Sequence, residues 1–121
     1  MAKQRYINTH FWDDSYISEL TPTEKLLFLY LLTNPLTNII GIYEISVKRI
    51  SFDTSIPVDK ITSVLNKFSK DGKILYKNGF IAIKNFVKHQ KLNPSIRKGI
   101  EVLESQVPQE LLEWIDISCL H

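Results

Sequence analysis

Lys73-Ile74-Leu75-Tyr76-Lys77-Asn78-Gly79-Phe80-Ile81-Ala82-Ile83-Lys84 is the stretch on which the fold turns. Two runs rich in β-prone residues flank an Asn-Gly pair. Asn and Gly tolerate the positive φ angles of a type I′ turn, so the stretch predicts a two-stranded hairpin. Immediately upstream, residues 57–71 read as a helix opened by Pro57 and stopped at Gly72. Its apolar residues Ile61, Val64, Leu65 and Phe68 recur at spacings of three and four, which makes one buried stripe. Before it, Ser46 is placed to cap a short helix over 47–54, with Val47 and Ile50 turned inward. The run from Ile39 to Ile45, rich in β-branched residues, predicts a short strand.

Further upstream, Thr21-Pro22-Thr23-Glu24 carries a helix N-cap, a proline in the first turn and the Glu of a capping box. The helix that follows, roughly 22–33, is apolar nearly all round (Leu26 to Leu32) and reads as a core helix ended by Asn34-Pro35. With short helical potential in the aromatic N-terminal segment through Leu20, the order is helix, helix, strand, helix, helix, hairpin, which is that of a winged helix, a helix-turn-helix variant with a β-wing. The expected fold is therefore α+β, mostly helical, with a two-stranded wing, a third short strand and added C-terminal helices. Residues 1–92 are expected to form the winged-helix domain with an N-terminal extension, and 93–121 a helical extension. In that extension Ile96, Ile100, Leu103 and Val107 form an apolar stripe that either packs on the domain's own core or makes a short self-association seam. Leu111, Leu112, Trp114 and Ile115 follow on a last short helix, where Trp114 is either a partner contact or a core filler.

The 121 residues suit one domain able to bury a core without staples, and no apolar run reaches the ~20 residues of a membrane span. The N-terminus has no signal-peptide apolar region, and a lone Cys119 fits a reducing, cytoplasmic setting. The net charge of +2 hides segregation: 1–57 carry five Lys/Arg and six Asp/Glu, 58–99 ten against two, and 100–121 none against five. That is −1, +8 and −5. A basic middle points to a polyanion partner, or else to a lysine-rich solvated surface.

On the helix over 57–71, Lys60, Ser63, Lys67 and Lys70 lie at spacings of three, four and three, opposite the apolar stripe. In a helix-turn-helix this is the element that enters the major groove, where lysine meets phosphate or guanine and serine bonds to either. The hairpin adds Lys73, Lys77, Asn78 and Lys84 for backbone contacts, and Lys88, His89, Lys91, Arg97 and Lys98 extend the basic surface. Contact with ~4–6 phosphates gives an expected log–log salt slope of roughly −4 to −5. Lysines without arginine imply weak sequence specificity, on single- or double-stranded DNA. Charge reversal at Lys67 and Lys70 is expected to abolish binding while leaving thermal stability nearly unchanged. His10-Phe11-Trp12 and Tyr16 either clasp a second subunit in a homo-oligomer or cap the core.

Catalysis finds little support. The four glycines form no phosphate loop, and the three histidines are scattered, so no metal or cofactor is expected. Asp13-Asp14 reads as a helix-start pair rather than a catalytic dyad, and Cys119 has no base partner.

Several stretches also resemble the N-terminal domain of phage replisome organisers, relatives of the DnaD-type primosome proteins of Gram-positive bacteria and their phages. They are Phe11-Trp12-Asp13, the run from Leu20 to Pro35, Gly41-Ile42-Tyr43-Glu44-Ile45, Phe68 to Ile74, and Ile81 to Gln90. The resemblance covers about residues 5–107. It implies a winged-helix domain in replication initiation that binds DNA, self-associates and helps recruit the replicative helicase or its loader. Family members often continue into a second domain, so the chain is expected to be a short stand-alone version or a fragment. Two other readings use the same fold: a protein-interaction and oligomerisation module, or a transcriptional regulator.

Overall fold

A computed structural model describes residues 4–90 and 93–115. A 3-10 turn (Thr9–Asp13) leads into α1 (Ser15–Ser18), α2 (Pro22–Thr33), β1 (Ile42–Glu44), α3 (Val47–Thr54), α4 (Val58–Lys70), β2 (Ile74–Lys77) and β3 (Phe80–Ile83). A second 3-10 turn (Val87–His89) precedes α5 (Pro94–Ser105) and α6 (Gln109–Ile115). The architecture is α+β and mostly helical, with a small antiparallel sheet.

Local chemistry sets most of these boundaries. At α2 both halves of the capping box form: the Thr21 N–H donates to Glu24 Oε1 (2.9 Å), and the Glu24 N–H donates to Thr21 Oγ1 (3.2 Å). Two otherwise orphaned helix donors are thereby satisfied. Asp14 caps α1 through the N–H groups of Tyr16 and Ile17. Ser46 caps α3 at the Arg49 N–H (3.0 Å), and α3 ends at Ser55 with φ 64. In the hairpin Asn78 and Gly79 take φ 54 and 82, as a type I′ turn requires.

The strand expected from Ile39 begins only at Ile42. The Asn38 side-chain oxygen accepts from the N–H groups of Ile40, Gly41 and Ile42, which makes 38–41 a turn rather than extended chain. Gly41 sits there at φ 77, and a Cβ on it would lie 2.6 Å from Phe86 Cβ.

The sheet order is β1-β3-β2. Its register places Tyr43 opposite Ile81 and Tyr76 opposite Ile81, while Ile42 and Leu75 both face Ala82. Side chains alternate across a strand, so this register separates two apolar layers. Tyr43, Ile74, Ile81 and Ile83 pack with Leu27, Leu31, Ile50, Ile61, Leu65 and Phe68 from the helices before the sheet. Ile42 and Ala82 pack with Ile100, Leu111, Leu112 and Ile115 from α5 and α6. Of the predicted stripe, Ile100, Leu103 and Val107 are thus spent on the chain's own sheet, while Ile96 is half-buried outside this layer and Val102 is left 57% exposed. On α4 the four residues of the predicted stripe are all buried, each contributing about 1.5–3 kcal/mol on leaving water. Two polar clasps brace the first layer. The Tyr43 hydroxyl donates to the Leu31 carbonyl (2.6 Å) and accepts from Asn34 Nδ2 (2.8 Å). Tyr30 on α2 donates to Asp53 on α3 (2.6 Å), whose carboxylate also takes Arg49 Nε (2.8 Å).

Candidate nucleic-acid interface

At 100° per residue, Lys60, Ser63, Lys67 and Lys70 fall within an arc of about 80° on α4, and all four are exposed. The exposed surface of the helix is wider than that row and includes Asp59, Thr62 and Asn66. Asn66 lies between Ser63 and Lys70 and carries an amide able to read adenine. A search for cations passes over it, although its spacing of three and four from those neighbours marks the same face. Thr62 is less available, because its hydroxyl donates to the Val58 carbonyl (3.1 Å).

The predicted basic residues divide by what they touch. Lys67 Nζ lies 3.4 Å from both carboxylate oxygens of Glu24 on α2. Lys77 Nζ lies 2.7 Å from Glu110 Oε1 on α6. Lys84 donates to the Trp114 carbonyl (2.8 Å) with its ammonium 4.5 Å from that ring's centroid, and Lys73 sits 4.7 Å over the Tyr16 ring. Lys60 and Lys70 make no ion pair among the described residues. Asn78 stands exposed at the wing tip. Of the six lysines from Lys60 to Lys84 named for the interface, two are therefore opposed by carboxylates. The four charges unopposed among the described residues lower the expected salt slope to roughly −3.6, at ~0.9 per phosphate.

These pairings also leave marks on the acids and phenols. The Thr21 N–H first, and Lys67 after it, hold the Glu24 carboxyl below its ordinary range against the opposing effect of burial. Burial, followed by the hydrogen bond to Asp71 (2.7 Å), pushes the Tyr16 phenol well up. Asp53 is held down by its bonds from Tyr30 and then Arg49.

The wider basic surface does not form one continuous row. Lys88 is exposed beside the sheet, and Arg97 and Lys98 are exposed on α5, which packs on the opposite side of the sheet from α4. Lys91, Cys119 and the His89 side chain lie outside the described residues. At the N-terminus, Phe11 packs on Phe28 (centroids 6.2 Å), while Trp12 stays 59% exposed. Among the described residues no three His, Cys, Asp or Glu gather as a metal site would require, and no helix is long and apolar enough to cross a membrane. Comparison with protein-family models, curated proteins and solved structures finds no match for this chain.

Proposed function

We propose that the chain is a winged-helix DNA-binding module acting in replication initiation, with α4 as recognition helix and the β2–β3 hairpin as wing. The order α2-β1-α3-α4-β2-β3 and the β1-β3-β2 sheet support the winged-helix reading. The observation that carries the DNA reading is the exposed face of α4, where Lys60 and Lys70 stand around Ser63 and Asn66 without carboxylate partners among the described residues. Lysines position the protein on phosphates, and Ser63 and Asn66 offer the base-edge contacts. The place in replication, with self-association and helicase or loader contacts, rests on the sequence resemblance to replisome organisers.

The test is fluorescence anisotropy of the chain on single- and double-stranded oligonucleotides at two salt concentrations. Steeply salt-dependent binding, weakened by Lys60→Gln and Lys70→Gln together, is the expected result. Preference for single strands favours the initiator, and preference for a palindromic duplex favours a transcriptional regulator. No binding at low salt overturns the reading.

A second reading, a protein-docking module, draws on Phe52. It stands 85% exposed on α3, on the side away from buried Ile50. Under that reading Phe52→Ser lowers self-association in sedimentation velocity and leaves DNA affinity unchanged.

A further inference from the structure

Beside the C-terminal end of α4 lies a cavity of about 330 Å³, walled by the N-terminal segment on one side and by the start of β2 and the end of β3 on the other. We propose that this cavity receives a single unstacked base of a DNA strand whose backbone runs along α4. The inference rests on the nucleic-acid reading for its partner and adds a subsite to it.

The walls are aromatic. Phe11, Tyr16 and Phe28 all line the cavity, with centroids 6.2 Å (Phe11–Phe28) and 6.4 Å (Tyr16–Phe28) apart at tilted angles, and all three are only partly buried. Half-buried aromatic residues lining a concavity suit a planar base, and the volume sits at the small end of ligand pockets, far too small for a duplex. A cation stands at the same place. Lys73 lines the cavity over the Tyr16 ring and follows Lys70 by three residues, so positive charge leads from α4 to this cavity. The carboxylates nearby are already engaged: Asp14 accepts from the N–H groups of Tyr16 and Ile17, and Asp71 takes the Tyr16 hydroxyl.

The wall is also fixed in place. Gln90, itself buried, accepts from the Tyr6 N–H (3.0 Å) and donates to the Tyr6 carbonyl (3.1 Å). Arg5 donates to the Thr37 hydroxyl (2.9 Å) and carbonyl (2.8 Å). Such anchoring means that a base enters a preformed site rather than having to order one. It accounts for an N-terminal segment held against the domain with its aromatic rings short of full burial.

The test compares labelled oligothymidylate of about a dozen nucleotides with an abasic deoxyribose–phosphate chain of equal length, at one salt concentration. The expected result is oligothymidylate binding about 5- to 150-fold tighter, the factor one stacked base supplies. Phe11→Leu should collapse that ratio toward one while leaving duplex affinity unchanged. Thymidine 5′-monophosphate should shift the amide resonances of Phe11, Tyr16 and Gly72 and leave those of α6 in place. Equal affinity for the two chains overturns the proposal while leaving the α4 reading intact. A thymidylate preference that survives in folded Phe11→Leu protein overturns it as well. Should neither strand nor duplex bind, the α4 reading fails, and the mononucleotide titration alone decides: shifts around the cavity sustain the base site, and their absence overturns it. The same titration decides if Phe11→Leu does not fold.

Discussion

Lys67→Glu and Lys60→Glu change the net charge identically, from +2 to 0, yet they should have unequal effects on stability. Lys67 lies 3.4 Å from Glu24, with side-chain exposures of 44% and 11%. A unit-charge pair near 4 Å in water is worth about 1 kcal/mol, and reversal turns that attraction into repulsion. Solvent screening and side-chain relaxation bring the change to about 1–2 kcal/mol. Lys67 also occupies the last turn of α4, where a negative charge opposes the helix dipole by about 0.3–1 kcal/mol. Lys60 lies in the first turn, where the same dipole favours a carboxylate. At ~2.1 cal/mol/K of unfolding entropy per residue, 1 kcal/mol corresponds to about 4 °C in a chain of this length. Lys67→Glu should therefore melt about 5–12 °C below the parent, and Lys60→Glu within about 2 °C of it. Circular dichroism melts at low salt, repeated in 0.5 M salt where the gap should narrow, provide the measurement. Equal melting temperatures for the two variants would refute the Glu24–Lys67 geometry. The sequence alone led to the expectation that reversing Lys67 and Lys70 leaves thermal stability nearly unchanged; the Glu24 contact predicts a loss instead and makes Lys60 the cleaner probe of DNA binding.

Phe68 is fully buried, with its ring 5.1 Å from Phe28, so Phe68→Ala should cost about 3–5 kcal/mol in urea unfolding; a near-neutral result would mean that α4 is rotated from its described face. Gly41→Ala and Gly79→Ala both force a side chain onto positive φ at about 1–2 kcal/mol, but only Gly41 would meet Phe86, at 2.6 Å. Gly41→Ala should be clearly the more destabilising in the same assay, and equal losses would argue against the Gly41–Phe86 contact. Glu24 has its carboxyl held down in the folded state, so its stabilisation is complete above the ordinary glutamate value of about 4.3 and is lost as pH falls through the lower folded value. Glu24→Gln keeps a capping oxygen but has no such titration. Its stability should fall less than the parent's below pH 4 in melts across pH 2–7, and parallel acid limbs would contradict the assignment.

Elements whose cause is local were legible in the sequence. Thr21, Pro22 and Glu24 start α2 with their own side chains and backbone, and the positive-φ tolerance of Asn78 and Gly79 makes the hairpin turn. The spacing of Ile61, Val64, Leu65 and Phe68 orients α4 before anything packs against it. Where local signals competed, the sequence reading ran too far. Ile39 and Ile40 have strand propensity, but the Asn38 side chain caps three successive N–H groups and the chain turns instead. The site divided in the same way. That Lys60, Ser63, Lys67 and Lys70 share one face follows from helical geometry alone. Which of the lysines remain free does not.

Residue order determined the helices, the hairpin, the segregation of charge and the polar face of α4, because each depends on neighbours within a few positions. Tertiary structure alone decided that Lys67 meets Glu24 across 43 residues, that Lys77 meets Glu110 across 33 and Lys84 the Trp114 carbonyl across 30. It alone turned the stripe of α5 onto the sheet and formed an open-mouthed cavity between the N-terminal aromatic residues and Lys73. Contacts over such separations depend on which faces the packed layers bring together, and no spacing along the chain encodes that distance.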